Sequence, residues 1–419
     1  MPFPQIKRLI KEYVPKGPKE IWYSLFLLSL VTATIFSPIS NYKLSSFVIK
    51  GAVTFFLFTT IIVLYRKSII SFGKIGNEFS LMLIQLNIFL IFCAITLLYS
   101  SNSFWGSLKW LNFILSFYPL LFGYYLFFIS YSSARGRIFL GILLVIILTS
   151  VPVIVFSHPF AYDGIYNLSL NKWSHVIYGR FIGSVTLLFL LLHFSKTTEF
   201  SWKVTFPLFT FIFLLNFLTG LRASILAIII IVFALTVYTL VKKIYMTGGV
   251  ILFSLLFSLT VFYLFPGLNQ EAENRTENLV GYSMGEDVTD GPIHARESLY
   301  KTSVKIIKDH WVVGVGFGGF RNITFGYDAF LIKYPHNLFL EFWGELGLIG
   351  VVIFFLFLYK LFKGSFKISA LLGIAASYPF ILSMFSKDIP GQTLFAIFLA
   401  MISLPEESKK VIRRKLTEY

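Results

Sequence analysis

One cysteine in 419 residues, Cys93, leaves no partner for an intrachain disulfide and removes any CxxC metal or redox site. It lies inside an apolar run, where a packing role is expected. Six histidines are present, and no two stand at HxH or HxxxH spacing, which argues against a histidine-rich metal site. Charge is scarce as well: Asp, Glu, Lys and Arg make up 13% of the chain. No repeat of fixed period and no pair of matching Gly/Pro-broken helices is present, which weakens a transporter built from inverted halves. No small-residue cleavage site follows the first apolar run, so that run is expected to stay as a helix rather than leave as a signal peptide. The glycine-rich stretch Gly314-Val-Gly-Phe-Gly-Gly319 lacks the Gly-Lys-Ser/Thr ending of a P-loop.

What the chain does hold is apolar mass, with 56% hydrophobic and 19% aromatic residues and a mean hydropathy of +0.77. That is more apolar surface than a soluble core hides, and it defines an all-α, multi-pass integral membrane protein. Apolar runs place about twelve transmembrane helices near 21–39, 47–65, 79–99, 108–130, 137–157, 176–195, 202–219, 222–241, 247–265, 336–359, 367–385 and 389–404. The short gap at Thr219-Gly220-Leu221 predicts a tight hairpin. The excess of 36 Lys and Arg over 20 Asp and Glu is scattered in short clusters between spans, not along one face, so nucleic acid is not the expected partner; membrane lipid is. An inside N-terminus puts most basic clusters, including the tail Lys409, Lys410, Arg413, Arg414 and Lys415, on the cytoplasmic side. Both termini are then cytoplasmic, and the 158–175 loop, the 219–222 hairpin and the long 266–335 segment lie outside.

Three regions follow: transmembrane helices over 1–265, an extracytoplasmic loop over 266–335, and further helices with a basic tail over 336–419. Seventy residues are too many for a plain connector, so the loop is expected to fold over the membrane face. Within it, Leu299, Val304, Ile306, Ile307 and Trp311 interleave with Lys301, Lys305 and Lys308 as an amphipathic helix that lies along the membrane surface. The following glycines let backbone approach a ligand or another segment closely.

Four positions are candidates for chemistry at the outer membrane face. Pro335 suits a first helical turn, which places His336 at a helix N-terminus, where the dipole disfavours imidazolium and leaves a neutral proton acceptor. Capping is the plainer role for a lone histidine at a helix end. Arg222 opens a helix within the apolar body, and Arg180 stands just inside another at the same face; each needs an anion, a water-filled cleft or an interface to snorkel into. Arg296 starts the amphipathic helix. Guanidinium groups converging on one cleft would fork onto a diphosphate. At 100° per residue Asn337, Glu341 and Glu345 share a stripe, the two carboxylates about 7 and 13 Å below His336 at the helical rise. A structural role is expected for Glu345, while Glu341 stays open. Gly347 and Gly350 admit a close neighbour.

The string His336-Asn337, nine residues, Gly347-Leu-Ile-Gly350 resembles the signature of the O-antigen ligase and O-antigen polymerase family of membrane glycosyltransferases. Arg222-x-x-x-Leu226 resembles that family's second motif, and Arg296-Glu-Ser-Leu-Tyr followed by Asp309-His-Trp-Val-Val-Gly-Val-Gly-Phe-Gly looks like the part of its large loop before the histidine. The resemblance implies a fold of the GT-C type in a bacterial inner membrane, with the active site on the periplasmic face. It implies an undecaprenyl-diphosphate-linked glycan donor and no other cofactor, metal or nucleotide sugar. Arg222 and Arg296 would hold the diphosphate, and Arg180, placed at the same membrane face, is a further candidate for it. His336 would accept the proton of the attacking hydroxyl, or only orient the acceptor or a phosphate, and one displacement would invert the anomeric centre. The acceptor would be lipid A–core for a ligase, or a lipid-linked glycan for a polymerase, in which case a chain-length regulator would be a further partner. No Arg-x10-Gly spacing is seen in the two large outer loops, which tips the expectation toward ligase. A lipid-linked glycan transporter and a non-catalytic scaffold are the other classes.

Overall fold

The computed structural model describes residues 18–36, 44–66, 76–130, 171–194, 202–265, 270–285, 291–323, 334–385 and 389–417. Every regular element among them is helical. In chain order these are α1 (Pro18–Phe36), α2 (Leu44–Arg66), α3 (Asn77–Thr96), α4 (Ser103–Ile129), α5 (Asn171–Phe194), α6 (Trp202–Leu218), α7 (Arg222–Val241) and α8 (Tyr245–Leu264). The large loop holds α9 (Gln270–Ser283), α10 (Gly291–Asp309) and the single turn α11 (Phe320–Ile323). The chain continues as α12 (Leu338–Ile368), α13 (Ala370–Ser383), a short turn at Ile389–Gly391, α14 (Phe395–Ile402) and α15 (Glu406–Thr417).

Six of these helices, α2, α3, α4, α7, α8 and α12, are long and apolar enough to cross a bilayer, and shorter apolar segments lie in α1, α5, α6 and α13. The chain is an integral membrane protein. Eleven of the twelve predicted runs coincide at least in part with described helices; the fifth, 137–157, and the basic N-terminal segment before Pro18 lie outside the described residues. Rows of large apolar side chains on the outer faces, such as Phe233, Val237 and Val241 on α7, are exposed and suit lipid contact.

Helix α4 is the hub. Its apolar window is 72% buried where the other five are between 28% and 44% buried, so protein rather than lipid surrounds it. Asn102 caps it, its side chain accepting from Trp105 N at 3.0 Å. α4 packs against α1, α2, α14 and the 389–391 turn. On the other flank α6 and α8 pair closely, with Ser254 and Ser258 donating to the carbonyls of Phe206 and Thr210.

Two predicted boundaries move. α12 begins at Leu338 with Asn337 as its cap, and His336 precedes the helix with φ 58. The predicted last helix over 389–404 is instead a turn followed by the eight-residue α14, because Pro390 and Gly391 break the helix that hydropathy alone suggests.

Candidate active site

The large loop meets the start of α4 and the first half of α12. α12 is not continuous: Gly347 takes φ 63 and ψ −156, a break in the middle of an apolar helix. The break is filled by the loop. Leu348 N donates to the Val312 carbonyl at 3.0 Å, and Val315 N donates to the Gly344 carbonyl at 2.9 Å. Gly314, at φ 69, lies so close that an added Cβ would stand 2.4 Å from the Glu345 carbonyl oxygen. The glycine-rich stretch therefore approaches another backbone, and only residues without a side chain permit it.

The same stretch is fastened to the α3–α4 corner. Phe317 N donates to Thr96 Oγ1 at 3.1 Å, Ser100 Oγ to the Phe317 carbonyl at 3.0 Å and Ser101 Oγ to the Gly319 carbonyl at 2.7 Å. Arg321 stacks over the Trp105 ring at 3.9 Å. A small core of Leu299, Ile306, Val315 and Phe320 binds α10 to the loop, and α10 packs on α12.

Beneath this cover lies an ionic cluster. Lys109 on α4 is 1% exposed, and Glu341 and Glu345 on α12 are fully buried. Lys109 Nζ donates to Glu345 Oε2 at 2.6 Å and also bonds Glu341 Oε1. The Phe317 ring lies 4.7 Å from the same ammonium. Glu341 Oε1 accepts a further bond from Ile389 N at 3.2 Å, so one carboxylate joins α4, α12 and the 389–391 turn. A second buried lysine, Lys50 on α2, donates to Asn112 Oδ1 at 2.5 Å and Ser116 Oγ at 2.9 Å, the next positions on the Lys109 side of α4.

Of the residues singled out in the sequence, Glu341 and Glu345 meet one partner, Lys109, and Asn337 is the cap that precedes them. Asn337 Oδ1 accepts from Leu340 N at 3.1 Å, and its Nδ2 donates to the Met384 carbonyl at 3.2 Å. The carboxylates turn toward Lys109. His336 sits half-buried before the cap, its ring 4.5 Å from that of Tyr334. Arg180 is 3% exposed, with Nη2 donating to Gln392 Oε1 at 2.9 Å and Nη1 to the Gly391 carbonyl at 3.3 Å. Arg222 is half-buried at the first position of α7. That helix start is latched beside Arg180, since Ser224 Oγ donates to the Gly179 carbonyl at 3.0 Å and meets Tyr378 Oη at 3.0 Å. Arg296 stands on α10, half-buried, where its charge opposes the rise that burial imposes on the Tyr300 phenol. One turn along, Glu297 and Lys301 pair at 2.7 Å in the open, each holding the other charged: the carboxyl lies below and the ammonium above its ordinary range.

Sequence reasoning missed Lys109, Lys50 and Gln392. The signal for Lys109 was the one used for Arg222, a lone cation within an apolar run. Below the turn, an apolar cavity of about 370 Å³ opens between α3, α4, α12 and α14, lined by Phe89, Phe113, Phe342, Phe357, Ile389 and Gln392 among others.

These features define a helical membrane protein whose large loop is bonded into a broken helix above a buried ion cluster. Residues 207–355 match the family model described as O-antigen ligase, so that stretch of the chain is similar to the O-antigen ligase family. The resemblance drawn from the motifs holds over that stretch, which contains Arg222, Arg296, His336, Asn337, Glu341 and Glu345; Arg180 and Lys109 lie before it. A search of curated proteins finds no match.

Proposed function

We propose that the protein transfers a glycan from undecaprenyl diphosphate to an acceptor hydroxyl, by one inverting displacement, at the outer face of a bacterial inner membrane. The family match, which holds Arg222, Arg296 and His336 in that order within residues 207–355, carries this reading. Twelve spans with both termini in the cytoplasm put all three residues at the outer face. No metal or other cofactor takes part.

In this mechanism His336, held at the mouth of α12, accepts the proton of the attacking hydroxyl; a neutral imidazole near the positive end of a helix dipole suits that task near pH 7. Arg222 and Arg296 take the charge that develops on the leaving diphosphate. Arg180 lies within reach of the same region through its latch to α7, yet its guanidinium already holds Gly391 and Gln392, so its part is to fix that turn and add positive potential. The apolar cavity below Gln392 suits part of an isoprenoid tail. The acceptor is lipid A–core, the ligase reaction; chain extension on lipid-linked repeats is the second reading, and the shared histidine motif favours neither over the other.

Alanine at His336, Arg222 and Arg296 separates the roles. His336→Ala is expected to lose turnover by about 10²–10⁴-fold, the usual contribution of a positioned base, with donor binding kept. Arg222→Ala and Arg296→Ala are expected to weaken donor binding. Retained turnover in His336→Ala would remove the base role. Purified protein given only lipid-linked repeats decides between the two reactions: processive chain growth would sink the ligase assignment.

A further inference from the structure

We propose that Lys109, together with Glu341, is a positioning group that holds the His336 end of α12 in register with the 389–392 turn, and so sets the geometry of the transfer site. This rests on the site assignment above.

The argument begins with what the cluster costs. Two carboxylates and one ammonium taken out of water are poorly repaid by their mutual attraction, and well-packed apolar side chains of similar volume do as well or better for stability. Packing alone would therefore be served by Leu or Met at these positions. What apolar side chains cannot supply is directional bonding between three chain segments. Glu341 Oε1 is a junction of that kind, receiving Lys109 from α4 and Ile389 N from the turn.

Both neighbours of that junction lead to the site. Glu341 is in the first turns of α12, and its N–H donates to the Asn337 carbonyl at 3.0 Å, so its position fixes the cap residue that follows His336. Asn337 in turn holds the end of α13 through the Met384 carbonyl. On the other branch, Ile389 opens the turn whose Gly391 carbonyl and Gln392 side chain hold Arg180. One carboxylate thus stands two bonded steps from Arg180 and one helical turn from His336. Glu345 holds the opposite side of the ammonium just before the break at Gly347, where the loop docks, and Phe317 covers the ammonium from the loop side. The cluster lies in the apolar body behind the histidine, which is where a support belongs and a substrate contact does not.

The test uses the full-length protein in lipid nanodiscs. Glu341→Leu leaves Lys109 paired with Glu345, a balanced pair, and removes the tie to Ile389. Its amide exchange is expected to rise over residues 334–342 and 389–394 and to stay unchanged over 205–218. Its kcat for transfer from an undecaprenyl-diphosphate-linked oligosaccharide is expected to fall on the order of 10²-fold, as a displacement of about 1 Å can cause, while binding of undecaprenyl diphosphate stays within about threefold. Should Glu341→Leu fail to fold, the apolar triple Lys109→Met/Glu341→Leu/Glu345→Met replaces it, expected to melt no lower than the parent and to show the same losses. Parent-like exchange in both segments, or parent-like kcat with raised exchange, would overturn the positioning role. If the parent protein transfers no glycan at all, the proposed reaction fails and the exchange measurements alone decide the coupling.

Discussion

His336 occupies a left-handed backbone conformation immediately before the Asn337 cap. Histidine enters that region more readily than most residues, but glycine enters it at no steric cost. Replacement by glycine is therefore expected to keep or raise thermal stability, by up to about 1 kcal/mol, while turnover disappears. A matched loss of stability and activity in melting and transfer assays would show that the imidazole packs rather than reacts. Asn337→Ala removes the bond to Leu340 N and is expected to cost about 1 kcal/mol by thermal melting, as cap losses usually do. At this scale the sequence was informative where spacing alone decides. Asn337, Glu341 and Glu345 fall on one face by rotation, whereas the partner of the two carboxylates could be found only once it was known which helix α12 faces. Lys109 lies more than 200 positions away, and nothing local to either segment announces the pairing.

The elements show a different limit. The hairpin at Thr219-Gly220-Leu221, an amphipathic helix between Ile293 and Trp311 and the apolar bodies of the long helices follow from hydropathy and turn chemistry; the structure has the hairpin and the long helices, and places the loop helix over Gly291–Asp309. The break at Gly347 does not follow, since a lone glycine in a helical run is ordinarily tolerated and a break is settled by what fills it. Here the filler is the 312–315 backbone. Gly347→Ala would put a Cβ 2.2 Å from the Val312 carbonyl oxygen at a positive φ, and is expected to destabilise the fold by more than about 2 kcal/mol, from left-handed strain alone at the upper end of its range plus the clash. Gly249→Ala, inside α8 with nothing within 4 Å of the added atom, is expected to stabilise by up to about 1 kcal/mol. Chemical-denaturant or thermal melts of the two variants side by side check both signs. The reverse order would mean that loop and helix break are not joined as described.

At the scale of the whole molecule, the lone cysteine becomes a tool. Cys93 is fully buried, so a membrane-impermeant maleimide should leave the parent unlabelled on intact cells. Asn274→Cys on α9 is expected to label from outside, and Lys410→Cys on α15 only after the membrane is opened, since both positions are exposed in the fold and the proposed topology puts them on opposite sides. The converse pattern would invert the topology and move the site to the cytoplasmic face.

The distances along the chain between bonded partners bear on how the protein is made. Phe317 N and Thr96 lie 221 residues apart, and Lys109 and Glu345 lie 236 apart. During synthesis at the usual ~5–20 residues per second, Lys109 therefore enters the membrane at least ten seconds or so before its carboxylates exist. An ammonium cannot rest unpaired in hydrocarbon for that time at low cost. Helix α4 must wait at the interface, or in the shelter of the insertion machinery, until α12 arrives. The ribosome thus finishes most of this chain before the Lys109, Glu341 and Glu345 cluster, and the loop that covers it, can assemble.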